Sequence, residues 1–401
     1  VIQIDLNPLD TLFFRDSNSF DAGEETTADF NFPSPLTFYG AIGNAVLENT
    51  PENNRRKFIH GAYEHPKLGK YDEKLVDTPM KIKGPFLQEG GKIYFPSPEN
   101  LWIESTKRPY VPHVLLPYEK EELVWDINDE ILKPLKLPKK SDDKTLDLKR
   151  LDEYIPLKEL TKYLSGKLNS LSILKSKAED SFFEKEIKYG HAISKCSKTP
   201  EEHFLYTAVH LRFKDQLRKR NYIQSGFTVF VDGIKESDLP NKTISLGGER
   251  KRVSIKYGNN MIVHEQSEIL YEIQREQPKI LDEIQRKKRF FVYFATPAIF
   301  KNGWRLELPS EFSDAALVGA AVNKPLYISG WKSGCKNNKD ISGGKPRPIR
   351  KAVRAGSVYF FEAEFWSKEK FKDFVDKYHF RASLSDEYSS AGFGIGLIGC
   401  W

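Results

Sequence analysis

Apolar residues in this chain come in short bursts, such as Phe290-Phe291-Val292-Tyr293-Phe294-Ala295, divided by glycine, proline and charged stretches. A burst of that length suits a strand buried on both faces and falls far short of the roughly 20 residues of a membrane span. Amphipathic helical segments interrupt the strands. Ser34 is placed to cap one helix with Pro35 as its first residue, and Leu36, Tyr39, Gly43, Val46 and Leu47 share a face. Ser367 caps a second, with Phe371, Phe374, Val375 and Tyr378 on one side. Strands are predicted over 1–14, on both sides of Glu89-Gly90-Gly91, over 190–194 and 205–213 as a hairpin, and over 227–231, 289–294, 326–329 and 357–364. A helix over 265–286 is expected to break at Pro278. The Lys-, Leu- and acid-rich stretch 117–180 reads as an insertion, helical over about 157–180. Strand–helix–hairpin, then hairpin–helix–strand, gives an α+β chain of two split β-α-β units.

The 401 residues are 39% hydrophobic and 29% charged, which excludes wholesale disorder and suits two or three domains. Three scattered cysteines (Cys196, Cys335, Cys400) support neither a disulfide framework nor a four-Cys zinc site, and fit a reducing cytoplasm. The opening Val-Ile-Gln-Ile has no basic leader region, so no secretory signal is expected. The net charge of +6 is unevenly placed. Residues 324–356 hold nine Lys/Arg and one acid, 212–220 hold five and one, and 249–256 hold four and one. Such clusters are either solvated faces or the footprint of a polyanion binder. Tyr327, Trp331, Tyr359 and Phe360 in or beside the first cluster favour single-stranded nucleic acid, whose bases stack while its phosphates need cations.

The terminal glycine run Gly392-Phe393-Gly394-Ile395-Gly396-Leu397-Ile398-Gly399 is not followed by the helix a dinucleotide fingerprint needs. It reads either as backbone that approaches a ligand closely or as a bulged last strand with Ile395, Leu397 and Ile398 packed inward. Gly40-Ala41-Ile42-Gly43 resembles a nucleic-acid-clamping GxxG but falls inside a helical pattern. No metalloprotease His pair, P-loop or Gly-x-Ser-x-Gly elbow occurs. His191, Cys196, His203 and His210 match no common zinc spacing, and neither a metal nor a cofactor is expected. His379 is the one candidate for a general base, against the plainer reading of a helix C-terminal histidine.

Taken in order, several segments resemble one family. They are Pro8-Leu9-Asp10-Thr11-Leu12-Phe13-Phe14-Arg15-Asp16, Phe20-Asp21-Ala22-Gly23, Ser34-Pro35-Leu36-Thr37-Phe38-Tyr39-Gly40-Ala41-Ile42, Gly84-Pro85-Phe86 and Ile93-Tyr94-Phe95-Pro96-Ser97-Pro98. Leu205-Tyr206-Thr207-Ala208, Leu246-Gly247-Gly248-Glu249-Arg250 and Thr296-Pro297-Ala298-Ile299-Phe300 follow. Ser329-Gly330-Trp331, Gly344-Lys345-Pro346-Arg347-Pro348, Ala355-Gly356-Ser357-Val358-Tyr359 and the glycine run complete the set. Together they resemble the third subunit of the Cmr module, a RAMP-superfamily protein of type III-B CRISPR effector complexes. The likeness runs from residue 8 to the end and spares mainly 117–180. One departure is Asn18-Ser19-Phe20 where such proteins carry Arg-Pro before the Phe, which leaves Arg15 to supply an arginine contact.

The resemblance implies two tandem ferredoxin-like (RRM-related RAMP) domains with insertions and a C-terminal Gly-rich strand, divided here as residues 1–235 and 236–401. It implies no catalytic activity, and a grip on the 5′ repeat-derived tag of CRISPR RNA. The chain would bridge the large polymerase-like subunit to the backbone RAMP subunits, near the flank of target RNA. The expected RNA contacts are Arg15, Asn18, Phe20, Ser34, Thr37, Gly40, Arg250, Arg252, Gly392 and Gly394, with Lys345 and Arg347 from the basic loop 332–354, which serves RNA or a neighbouring subunit. Two alternatives stand beside this: a metal-independent RAMP endoribonuclease using His379, and a purely protein-binding subunit.

Overall fold

Left-handed glycines turn this chain where the sequence places them. Gly90 and Gly91 (φ +57° and +79°) form a tight turn between strands Lys81–Glu89 and Lys92–Pro96. The computed structural model describes residues 1–14, 27–28, 32–71, 74–104, 108–118, 123–125, 130–136, 148–168, 173–194, 196–218, 221–240, 242–258, 268–332 and 345–401. Among them are five α-helices, α1 (Pro35–Glu48), α2 (Glu52–Ile59), α3 (Leu157–Leu164), α4 (Glu268–Lys287) and α5 (Lys368–Tyr378), and mostly antiparallel strands. The α+β expectation therefore holds.

The chain forms two compact units, each assembled from three segments. Unit 1 is Val1–Gly91, Glu179–Gly258 and Tyr327–Arg350; unit 2 is Lys92–Ala178, Asn259–Leu326 and Lys351–Trp401. The single division expected at 235/236 falls inside unit 1. The reason is pairing: strands on either side of that point, Ser225–Asp232 and Arg252–Tyr257, both flank Ile2–Pro8.

In unit 1 the strands run in the order Lys81–Glu89, Ser225–Asp232, Ile2–Pro8, Arg252–Tyr257, Thr243–Ser245, antiparallel throughout. Ile4 and Leu6 alternate with polar residues and are fully buried. Helix α1 buries Phe38, Tyr39, Ile42, Ala45, Val46 and Leu47, so Phe38 and Ile42 belong to the core face while Leu36, expected there, is half-buried. The Phe38 ring meets Phe227 at 5.0 Å. Buried Gln88 donates to Asn7 Oδ1 at 2.7 Å, and its own Oε1 accepts from Gly91 N at 3.2 Å. The predicted hairpin is present and longer than expected, pairing Phe183–Ile193 with Pro200–Phe213; the latter also pairs with Leu12–Phe13.

Unit 2 has the order Ala316–Ala321, Val358–Glu362, Arg289–Phe294, Gly396–Gly399, again antiparallel. The aromatic burst lies at its centre: Phe290 stacks on Phe361 at 5.2 Å and on Trp366 at 5.3 Å, and meets Phe374 of α5 at 5.0 Å. Ser367 caps α5 by accepting from Lys370 N, and all four predicted apolar residues of that helix are buried. Helix α4 runs unbroken through Pro278. The proline is exposed, so water can satisfy the carbonyl it leaves unpaired, while Ile273, Ile280 and Ile284 bury the opposite stripe across it. The long helix expected over 157–180 stops at Leu164, because Gly166 (φ +70°) closes it and Lys167 N bonds to Lys162 O.

Candidate nucleic-acid interface

Three backbone segments of unit 1 converge where the first strand pair ends. Leu12, Phe13 and Phe14 are buried, and Phe14 lies 6.5 Å from Phe38 in the first turns of α1. The chain leaves this point directly into Arg15, Asn18 and Phe20, which lie outside the described residues.

The start of α1 is closed by its own residues. Pro35 has no N–H, Leu36 N donates to Ser34 Oγ at 3.2 Å, and Thr37 N donates to Ser34 O at 2.9 Å. The expected backbone cradle at Ser34–Thr37 therefore has its first amides occupied. What the helix offers outward is a face. Gly40 is exposed, and a Cβ there would meet nothing within 4 Å. Thr37 and Asn44 lie one turn to either side of it, so a backbone could approach this stripe closely.

The second segment is the loop 246–251. Gly247 (φ +79°) is forced by closeness, since a Cβ would lie 2.5 Å from Phe13 O. Gly248 N donates to Phe13 O at 2.8 Å, and Leu246 N and Lys251 N close the loop on Lys251 O and Gly248 O. Glu249 and Arg250 take left-handed conformations (φ +54° and +53°) and both are exposed, Glu249 keeping Oε2 3.5 Å from His210 Nε2. The Arg252 guanidinium is exposed but not loose: Nε donates to Thr243 Oγ1 at 3.1 Å and Nη2 to Thr243 O at 3.1 Å. Thr243 is a holding residue that sequence reasoning missed; its signal was the polar–apolar–polar Thr-Ile-Ser of the adjoining strand.

The third segment is Gly330 with Arg347. Arg347 N donates to Gly330 O at 2.8 Å, and a Cβ at Gly330 would come within 3.2 Å of Arg347 Cδ and 3.8 Å of Leu36 Cδ1. This sets Arg347 beside the first turn of α1. Trp331 pairs across with Pro346 and is 62% exposed, while Lys332 pairs with Lys345. Residues 333–344 and the Lys345 side chain lie outside the described residues. Arg347 thus stands at the start of α1 with the exposed indole of Trp331 on the strand pair beside it, while Arg250 and Arg252 belong to the loop and strand that close on Phe13 and Thr243. That combination can hold phosphate and stack a base.

Gly392 and Gly394 are not part of this gathering. Both are buried in unit 2. Gly392 N bonds to Ser389 O and Gly394 N to Pro297 O at 2.7 Å, and a Cβ at Gly394 (φ +68°) would lie 2.4 Å from Ser385 N. Ile395, Leu397 and Ile398 are buried too, so the inward-packed last strand is the reading the structure favours. His379 caps the end of α5 as expected, but it is 2% exposed and its Nδ1 accepts from Ile398 N at 3.0 Å. Burial, with Arg381 nearby, holds its pKa at about 4, so the ring is neutral and carries no charge to complement the helix dipole.

The family model for CRISPR-associated protein (Cas_Cmr3) matches residues 4–401. None of the curated proteins matches the chain by sequence. Among solved structures, a chain of the type III-B Cmr-beta assembly bound to cognate target RNA and AMPPnP is similar with a TM-score of 0.45 and 16% identity, over 89% of this chain and 86% of that one. The same assembly bound to cognate target RNA gives the same values. A chain of the Csm3–Csm4 subcomplex from a type III-A CRISPR-Cas interference complex has a TM-score of 0.40 and 12% identity, over 90% and 92%. Since a single family model spans both units and every segment of the interface, the chain belongs to the Cmr3 family of CRISPR-associated proteins, RAMP-type subunits of the type III-B Cmr effector module.

Proposed function

We propose that this effector subunit grips the 5′ repeat-derived tag of CRISPR RNA at the basic end of unit 1 and bridges the large polymerase-like subunit to the backbone subunits. The observation that carries this is the placing of Arg347 beside the first turn of α1, through Gly330 and Leu36, and of the Arg250-bearing loop on Phe13, close to the open Thr37–Gly40 face of that helix. Both units read as ferredoxin-like domains. Each sheet places its third strand between its first and second, with the fourth on the far side of the first. Unit 1 keeps the helix after its first strand (α1), and unit 2 keeps the helix after its third (α5). The subunit acts without catalysis of its own, in the cytoplasm, with target RNA passing close by. The ribonuclease alternative loses its base, because a buried His379 cannot reach a phosphate.

Fluorescence anisotropy with labelled tag RNA and a scrambled control, across a salt series, tests the proposal. Arg250→Ala with Arg252→Ala is expected to weaken tag binding by roughly tenfold or more and to lower the salt slope by about 2. Unchanged affinity and slope would remove these arginines from the interface. Equal weak binding of both RNAs would favour the protein-binding alternative.

A further inference from the structure

The basic cluster 324–356 is continuous in the sequence but divides between the two units. Lys332, Lys345, Arg347 and Arg350 lie in unit 1, whereas Lys324, Lys351 and Arg354 lie in unit 2. The tag reading draws only on the first group. Tyr359 and Phe360, the aromatics expected to stack beside the cluster, are fully buried in the unit 2 sheet. The Tyr359 hydroxyl donates instead to the carbonyl of Trp304, whose own ring is 37% exposed.

The arginine of the second group is held in place by its surroundings. Gly356 (φ +95°) turns the chain so closely that a Cβ there would lie 2.7 Å from Ser97 O. Ser357 clamps that turn onto Arg354 O, through Oγ at 2.8 Å and through N at 3.3 Å. Arg354 Nε then donates to Lys324 O at 2.9 Å, which ties the guanidinium to the segment carrying Lys324. Among the described residues its two terminal nitrogens make no further bond, and neither Lys324 nor Lys351 has an ion-pair partner; all three residues are exposed. By contrast Lys279, Arg286 and Lys377 of the same unit are paired with Glu276, Glu283 and Glu311. Glu99, whose N donates to Gly356 O at 2.8 Å, is neutralised by Arg150, and its other oxygen accepts from Asn323 Nδ2 at 3.2 Å. An arginine fixed through Nε with both terminal nitrogens open presents a fork matched to phosphate oxygens. Ala298 and Val353 exchange both backbone bonds, at 3.1 and 2.8 Å, so the segment leading to Trp304 runs beside the one ending in Arg354. Two carboxylates stand on the Trp304 side: Glu307 accepts from Asn302 Nδ2 at 2.6 Å and Asp386 from Lys301 N at 2.8 Å. Their charge keeps phosphates to the Arg354 side and leaves the indole to a base.

We propose that Arg354, Lys324, Lys351 and Trp304 form a second RNA-binding surface, on unit 2, which holds the phosphates of single-stranded RNA on its cations and stacks a base on its indole, whatever the sequence. This surface does not rest on tag recognition at unit 1, and the test keeps the two apart. Fluorescence anisotropy of the full chain is measured with labelled oligouridine, tag RNA and an oligoglutamate peptide across a salt series. Arg354→Gln with Lys324→Gln is expected to weaken oligouridine binding roughly tenfold and to lower its salt slope by about 1.4. Arg354→Lys keeps the charge but not the fork, and is expected to lose affinity several-fold at an unchanged slope, which covers the case in which the double variant fails to fold. Trp304→Ala should cost about fivefold or more with the slope unchanged, and Trp304→Phe should keep most of the affinity. Oligouridine binding is expected to keep its dependence on Arg354 and Lys324 in the Arg250→Ala, Arg252→Ala background. Affinity and slope unchanged in the Arg354→Gln, Lys324→Gln variant would overturn the surface. Oligoglutamate binding as tight as oligouridine would overturn RNA as its occupant. Equal binding of tag RNA and oligouridine by the wild type, with both weakened in this variant, would uphold the surface and remove tag recognition instead.

Discussion

Gly40 and Gly394 look alike in the sequence, each a small residue where RNA backbone could come close, and the structure gives them opposite tasks. Gly40 faces open space on a helix; Gly394 is left-handed and packed 2.4 Å from Ser385 N at its Cβ position. Gly40→Ala is expected to stabilise the protein by roughly 0.5–1 kcal/mol in urea unfolding while weakening RNA binding. Gly394→Ala should cost roughly 2–4 kcal/mol, since both conformation and space forbid the methyl. The reverse order of stabilities would contradict both assignments. Their separation was not legible in the chain, because a glycine's composition says that something comes near, never what. Arg252 was legible as a cation; its fixing by Thr243 was not, since that contact depends on which strands neighbour each other.

Among the elements, helices with local signals were read well. Ser34–Pro35 opens α1 and Ser367 opens α5 at the residues their capping chemistry names. Helix α3 went wrong although Gly166 stood in plain sight, because lysine and leucine content outweighed one stop signal. Helix α4 went wrong the other way: Pro278 costs the helix a hydrogen bond and crowds the preceding turn, but it stands on the exposed side where water can serve the freed carbonyl, and exposure is a tertiary fact. Pro278→Ala is accordingly expected to raise stability by roughly 1–3 kcal/mol in chemical denaturation. No gain would mean that the proline fixes a bend on which the packing of Ile273 and Ile280 depends.

For the whole molecule, an α+β chain of two units was legible but the threading of the units was not, because strand pairing across hundreds of residues leaves no local mark. Residues 1–235 expressed alone are expected to show no cooperative unfolding transition, since Ile2–Pro8 then lacks Arg252–Tyr257 on one side. A sharp transition in that fragment would mean that this pairing is dispensable. The same threading has a consequence during synthesis. The partner of Ile2 is Val231, so the strand Ile2–Pro8 leaves the ribosome more than 200 residues before either of its sheet neighbours has been made. At about 5–20 residues per second this is a wait on the order of ten to forty seconds. Throughout it Ile4 and Leu6, fully buried in the finished protein, remain exposed to every other nascent chain and chaperone in reach.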